Sequence, residues 1–268
     1  VQNLPNVTIH TSFFATDLIV EHEKCVGVIG YNSENKSVFI NAKATILATG
    51  GSGQIFSTTA NPSVATGDGI AMAYRAKVQI ENMQYVQFHP TAVYEPENEQ
   101  AFLITEAIRG FGAHILNRKG ERFLLKVHAD AELATRDIVS KAISDEMTKE
   151  NSENVWLDLS HLNQKELRRK FPKITNYCKE KNWDFTTDLA PIRPAAHYQC
   201  GGITVDKFGA TSMNNLFAIG ECSHTGLHGS NRLASNSLLE AVVYSYDLAG
   251  RLSNVLKSEV IDSSTKPE

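Results

Sequence analysis

Apolar and polar positions alternate with a period of two through much of the first fifty residues. "VTIHT" (7–11), "TDLIVEH" (16–22) and the two runs of "CVGVIGYNSENKSVFINA" (25–42) fit half-buried strands, and the turn-forming "NSEN" predicts a hairpin meander. The apolar "ATILATGGSG" (44–53) predicts a short strand that ends in glycines. Helical spacing follows in "TGDGIAMAYRAKV" (66–78), with Ile70, Ala73 and Tyr74 on one face.

From about residue 82 the pattern changes to loops mixed with helices. The clearest helix is "ATRDIVSKAISDEMTKE" (134–150), where Ile138, Val139, Ala142, Ile143 and Met147 form an apolar stripe behind Thr135 or an adjacent residue as N-cap. Strands return at about residue 200 with "GGITV" and "NLFAIG", followed by a loop rich in Gly, His and Asn and the helix "SLLEAVVYSYDLAGRLSNVLK" (237–257). The expected class is α/β, one domain formed by residues 1–81 and 200–268 and interrupted by an α+β insertion at 82–199.

Composition narrows the function classes. A chain of 268 residues, 42% hydrophobic and with net charge -4, is of ordinary globular type and holds enough material for one large or two smaller cores. The basic residues are scattered, and the cluster Arg168, Arg169 and Lys170 sits beside Glu166 as a solvated helix face, so no nucleic-acid partner is expected. No apolar run reaches the ~20 residues of a membrane span, and no membrane partner is expected. Cys25, Cys178, Cys200 and Cys222 form no CxxC pair, which fits a reduced, cytoplasmic protein without a cysteine-based zinc site. The opening "VQNLPNVTIHT" carries no signal-peptide pattern and reads as a cut, and the closing "VIDSSTKPE" (260–268) reads as a solvated terminus or a second cut.

Candidate chemistry lies in the loops. "ATGGSG" is not GxGxxG, and no strand-GxGxxG-helix unit occurs, so alone it predicts a tight turn. His89, His197 and His228 stand apart, and no HxH, HExxH or HxxxH pair puts two imidazoles on one element, so no metal is expected. Arg109, Arg136 and Arg232 lie beside turns or helix starts, where a guanidinium fork can meet a carboxylate with two hydrogen bonds.

Taken together, six segments carry a resemblance: "ATGGSGQIFSTTANPSVATGDGIAMA", "QFHPT", "LITEAIRGFGAHILNRKGERF", "LATRDIVSKAI", "PAAHYQCGGITVD" and "LFAIGECSHTGLHGSNRLASNSLLE". In order and spacing they resemble the succinate dehydrogenase/fumarate reductase flavoprotein superfamily, over essentially the whole chain. Within it "PAAHYQCGG" and "NRLASNSLLE" are nearer to the L-aspartate oxidases than to succinate dehydrogenase subunits. The resemblance implies an FAD-binding domain of glutathione-reductase type, here incomplete, with an inserted α+β capping domain. Family members also carry an N-terminal βαβ unit with GxGxxG and a C-terminal helical domain. Neither pattern is found here, so the chain is expected to be a central fragment, inactive alone and unable to retain FAD.

By motif, the resemblance implies that Arg136 is the catalytic acid/base and that Glu106 and Arg109 pass the proton outward. His89, Thr105, His197 and Arg232 match the positions that grip a dicarboxylate substrate. Asp68, Glu221, Ser237 and Leu238 match contacts to FAD, with Phe14 and Ala15 at the adenine. Phe111 stands where many relatives have Glu, and it cannot supply Arg109 with a charge partner; Gln84 likewise replaces a Glu.

The implied activity is oxidation of L-aspartate to iminoaspartate in NAD biosynthesis, with oxygen or fumarate reoxidising the flavin and quinolinate synthase receiving the product. Two other readings stand beside it: a soluble fumarate reductase or succinate dehydrogenase flavoprotein, and a non-catalytic dicarboxylate-binding fragment.

Overall fold

The computed structural model describes residues 4–98, 100–184 and 187–258. The closing stretch 260–268 therefore lies outside the described residues. In chain order the first strands are β1 (Phe14–Glu21), β2 (Lys24–Tyr31), β3 (Ser37–Asn41), β4 (Thr45–Leu47) and β5 (Ile80–Glu81). They are followed by β6 (Val86–Val93), β7 (His114–Leu116), β8 (Val155–Asp158) and β9 (Ala190–Gln199), then by β10 (Gly202–Thr204), β11 (Leu216–Ala218) and β12 (Ser223–His224). The helices are α1 (Asp68–Arg75), α2 (Ala107–Gly110), α3 (Arg136–Glu150), α4 (Gln164–Lys170), α5 (Pro172–Glu180) and α6 (Asn236–Ser258). These elements form two compact units.

The first unit comprises Val1–Ser52, Gly67–Tyr85 and Gln199–Glu268. Strands β1, β2 and β3 make an antiparallel meander. Its second turn forms because the Asn32 side chain accepts hydrogen bonds from the N–H groups of Glu34 and Lys36 at 2.9 and 3.0 Å, an Asx turn that needs no tertiary support. "VTIHT" forms no strand, and Val7 and Ile9 are exposed. Helix α1 buries Ile70, Met72 and Ala73, whereas Tyr74 faces outward, so the apolar face is rotated from the expected one.

Strands β4 and β11 of the first unit run parallel, Thr45 to Leu47 against Leu216 to Ala218. Both therefore end at the same edge, where Ile219 N–H donates to Leu47 O at 3.0 Å. Beneath them Cys25, Leu47, Ile70, Met72, Ala73, Ile203, Leu216, Ala218 and Cys222 form the unit's core. All four cysteines of the chain are buried and free.

The second unit comprises Gly53–Thr66 and Val86–Tyr198. Its sheet has the order β6-β9-β8-β7, and α3 packs on β6. Being at the edge, β6 tolerates Pro90, which has no N–H to give to a neighbour. Helix α3 begins behind Thr135 as expected, although the Thr135 hydroxyl donates to Asp137 Oδ1 at 2.5 Å and accepts no backbone N–H. Its stripe holds: Val139, Ala142, Ile143 and Met147 enter a core shared with Ile108, Ile115, Leu124, Leu157 and Ile192. Arg168, Arg169 and Lys170 are the exposed face of α4. Among the described residues, no helix is long and apolar enough to cross a membrane.

Candidate functional site

In the second unit, three of the expected residues join through one carboxylate. Arg136 is the first residue of α3, and its Nε lies 2.7 Å from Glu106 Oε2. The other oxygen, Oε1, lies 3.2 Å from Arg109 Nη2. Glu106 caps the short helix α2, whose single turn carries Arg109 back toward it. Arg136 Nη1 also donates to Gln87 Oε1 at 2.9 Å, and Ser140 Oγ donates to Phe88 O at 3.1 Å, so helix and edge strand are fastened at two points.

Arg109 is buried, and its Nη1 donates to Glu132 O at 2.5 Å. Burial lowers its pKa first; the Glu106 carboxylate opposes that shift, and the positive charge of Arg136 adds to it. Glu132, itself buried, accepts from Arg122 Nη2 at 2.8 Å and from Ile115 N–H at 3.2 Å. Burial works against the charged form of Glu132, but those hydrogen bonds hold its pKa below the usual carboxylate value. The absent charge at Phe111 is thereby accounted for. Phe111 packs edge-on against Phe171 at 5.6 Å, with Lys170 Nζ over its ring, while Arg109 takes its partners from Glu106 and Glu132.

His89 and His197 also meet within this unit. They sit on neighbouring strands β6 and β9, their ring centroids 5.3 Å apart at an interplanar angle of 72°. His89 is buried, and its Nδ1 accepts from Thr91 N–H at 3.3 Å, which leaves the proton on Nε2 in the neutral ring. Asn61 Nδ2 donates to His197 O at 3.2 Å and fixes the backbone behind that ring. Thr105 is exposed, and its Oγ1 accepts from Ala107 N–H at 3.4 Å.

The remaining expected residues belong to the first unit. Glu221 lies in a 3-10 turn, Gly220–Cys222, directly after β11 and packed against α6. Its Oε1 accepts from Gln199 N–H at 2.8 Å. Burial raises its pKa, while that hydrogen bond and the charge of Arg232 act in the opposite direction. Gly51, just past β4, lies so close that an added Cβ would overlap Glu221 Oε1. Gly50 and Gly220 have positive φ, 73° and 67°, and open space where a Cβ would point.

Arg232 is buried in the loop before α6, and Ser237 and the exposed Leu238 lie in the first turn of that helix. Asp68 opens α1, and Phe14 and Ala15 open β1, against which α1 packs. The structure thus joins Arg136 with Glu106 and Arg109, and His89 with His197. Sequence reasoning missed Gln87, Glu132 and Gln199. Gln87 had a signal, since it stands two residues before His89 and so shares its face of β6.

Residues 1–238 match the family model described as FAD binding domain. The chain is 44% identical over 268 residues to L-aspartate oxidase of Vibrio cholerae, covering 96% of this chain and 50% of that protein. It is 45% identical over 257 residues to the chloroplastic L-aspartate oxidase of Arabidopsis thaliana, covering 91% of this chain and 40% of that one. Among solved structures, a mutant quinol fumarate reductase of E. coli is similar at a TM-score of 0.86 and 34% identity, covering 94% of this chain and 46% of that one. The chain thus spans about half the length of the curated relatives it matches.

Proposed function

This chain belongs to the FAD-binding domain family of flavoprotein oxidoreductases, and from that membership we propose that it is part of an enzyme that oxidises L-aspartate to iminoaspartate. The observation that carries the reading is the bridge Arg136–Glu106–Arg109, a guanidinium at a helix start joined by one carboxylate to a second, buried guanidinium. Free arginine is a poor base, because its pKa lies far above neutral. Beside a carboxylate that can receive the proton, the fork can accept and pass it within a fixed chain of hydrogen bonds.

Conversion of L-aspartate to iminoaspartate removes a hydride from Cα and a proton from the amino nitrogen. In this proposal Arg136 takes up the proton and Glu106 and Arg109 carry it outward. His89 and His197, together with Thr105, donate to the substrate and hold Cα in one orientation, which makes the transfer effectively intramolecular; Arg232 of the first unit is assigned to substrate binding by its motif.

FAD, when bound, supplies the two-electron acceptor. The first unit fits such a group: Glu221 and open glycine backbone lie at the carboxyl edge of the parallel pair β4 and β11, where α/β sheets receive ligands. Glu221 would accept from a sugar or ribityl hydroxyl, and Asp68 and the first turn of α6 at Ser237 and Leu238 would hold further polar groups. Phe14 and Ala15 are assigned to the adenine. The second unit is read as the capping domain.

A second reading, fumarate reduction with Arg136 giving rather than taking the proton, is favoured by the structural likeness to a fumarate reductase. The substrate amine separates the two. With the full-length protein and FAD, hydrogen peroxide formation that depends on L-aspartate supports the first reading. Succinate oxidation without aspartate turnover supports the second.

A further inference from the structure

We propose that His114, Asp158 and His161 in the second unit form a binding site for a divalent transition-metal ion of zinc type. The register of two short strands begins it. β7 and β8 pair antiparallel with His114 directly opposite Asp158, which puts both side chains on one face of the sheet. The chain then turns at once. Ser160 N–H donates to Asp158 Oδ1 at 2.9 Å and Leu162 N–H to Leu159 O at 3.1 Å, and this turn brings the His161 ring onto that of His114, with centroids 3.9 Å apart and planes 14° from parallel.

The hydrogen bonds divide the donor atoms in the way a metal site needs. His161 Nε2 lies 2.9 Å from Gly112 O, and since a carbonyl can only accept, Nε2 carries the proton and Nδ1 of the neutral ring presents its lone pair. That lone pair faces Asp158 Oδ2 at 3.7 Å, the carboxylate oxygen that the Ser160 bond does not use. Two electron-rich atoms so placed repel unless a hydrogen-bond donor or a cation stands between them.

One ligand atom from each of the three side chains falls within 4.8 Å of the others. Zinc bonds of about 2.0–2.2 Å in tetrahedral geometry set ligand atoms roughly 3.4 Å apart, so a pair at the 4.8 Å limit must close by about 1.4 Å and the stacked rings must tilt until their in-plane lone pairs meet at the ion. The exposed turn that carries His161 can make that shift.

Two nitrogens and one carboxylate oxygen suit zinc and related ions and not calcium or magnesium, which take oxygen ligands. Water would supply the fourth position. The ion would tie β7, β8 and the turn together, and with them Gly112, whose N–H donates to Arg109 O at 3.0 Å. The site has no motif on one element, because its two histidines come from a strand and from the turn after its neighbour.

The test is equilibrium dialysis of the chelator-treated chain against Zn²⁺ at pH 7.5, with the visible absorption of Co²⁺ as a second readout. The expected result is one Zn²⁺ per chain above the background set by a His114→Asn/Asp158→Asn/His161→Gln variant, a loss of tenfold or more in affinity for His161→Gln alone, and a Co²⁺ spectrum of four-coordinate intensity. His161 is exposed, so His161→Gln keeps the test valid if a change at Asp158 unfolds the chain. Zinc uptake equal in the parent chain and the triple variant, or no uptake by the parent, overturns the proposal.

Discussion

Arg136 and Glu106 stand 2.7 Å apart, Nε to Oε2, although thirty positions of sequence separate them. The same carboxylate reaches Arg109 with its other oxygen, so its negative charge is shared between two guanidiniums. Glu106→Gln keeps the shape and removes the charge. Arg136 and the buried Arg109 then face each other with less compensation, at a cost of about 1–2 kcal/mol once the partial exposure of Glu106 is allowed for. A denaturant midpoint unchanged from that of the parent chain would show that the bridge adds no stability.

Arg232→Leu tests the substrate clamp. If the buried Arg232 holds a substrate carboxylate, its loss leaves that group unpaired at a cost of roughly 2–5 kcal/mol, seen mainly as a higher KM for L-aspartate in the full-length protein. Flavin content should be retained, since Glu221, Ser237 and Leu238 remain. Unaltered aspartate kinetics would make Arg232 a residue of the loop alone.

Glu221 gives a pH dependence of stability. Its folded pKa is raised above the unfolded value of 4.5, chiefly by burial. As pH rises past 4.5 the unfolded state gives up its proton first, so stability present below that value is lost as pH rises through the folded pKa. Glu221→Gln keeps an acceptor for Gln199 N–H and removes the titration. Its Tm should match that of the parent chain near pH 4 and exceed it at pH 8. A lower Tm at pH 8 would mean that the charged form is well solvated.

The hairpin of β2 and β3 was legible because period-two alternation and the Asn32 turn are both local. Helix α3 was legible because its stripe repeats over four turns. "VTIHT" alternates equally well, but a strand needs a partner, and Val7 and Ile9 have solvent instead. In α1 a helix of eight residues is too short for periodicity to fix its buried face, and Met72 went inward where Tyr74 was expected. At the site, residue types were legible through motifs and partnerships were not. Nothing local says that Gln87 accepts from Arg136, or that Arg109 trades a charge partner at position 111 for the Glu132 carbonyl.

In the proposed function, Arg136 moves the proton in aspartate oxidation. Arg136→Lys keeps the positive charge, but one ammonium cannot span Glu106, Gln87 and a substrate as the fork does. The direct measurement is the rate at which L-aspartate reduces the flavin of the full-length protein in a single anaerobic turnover, with bound flavin quantified in the same sample. The expected rate is about 10²-fold or more below the parent's, with flavin content unchanged. A near-parental rate in the Arg136→Lys protein would contradict it and move the proton to another residue.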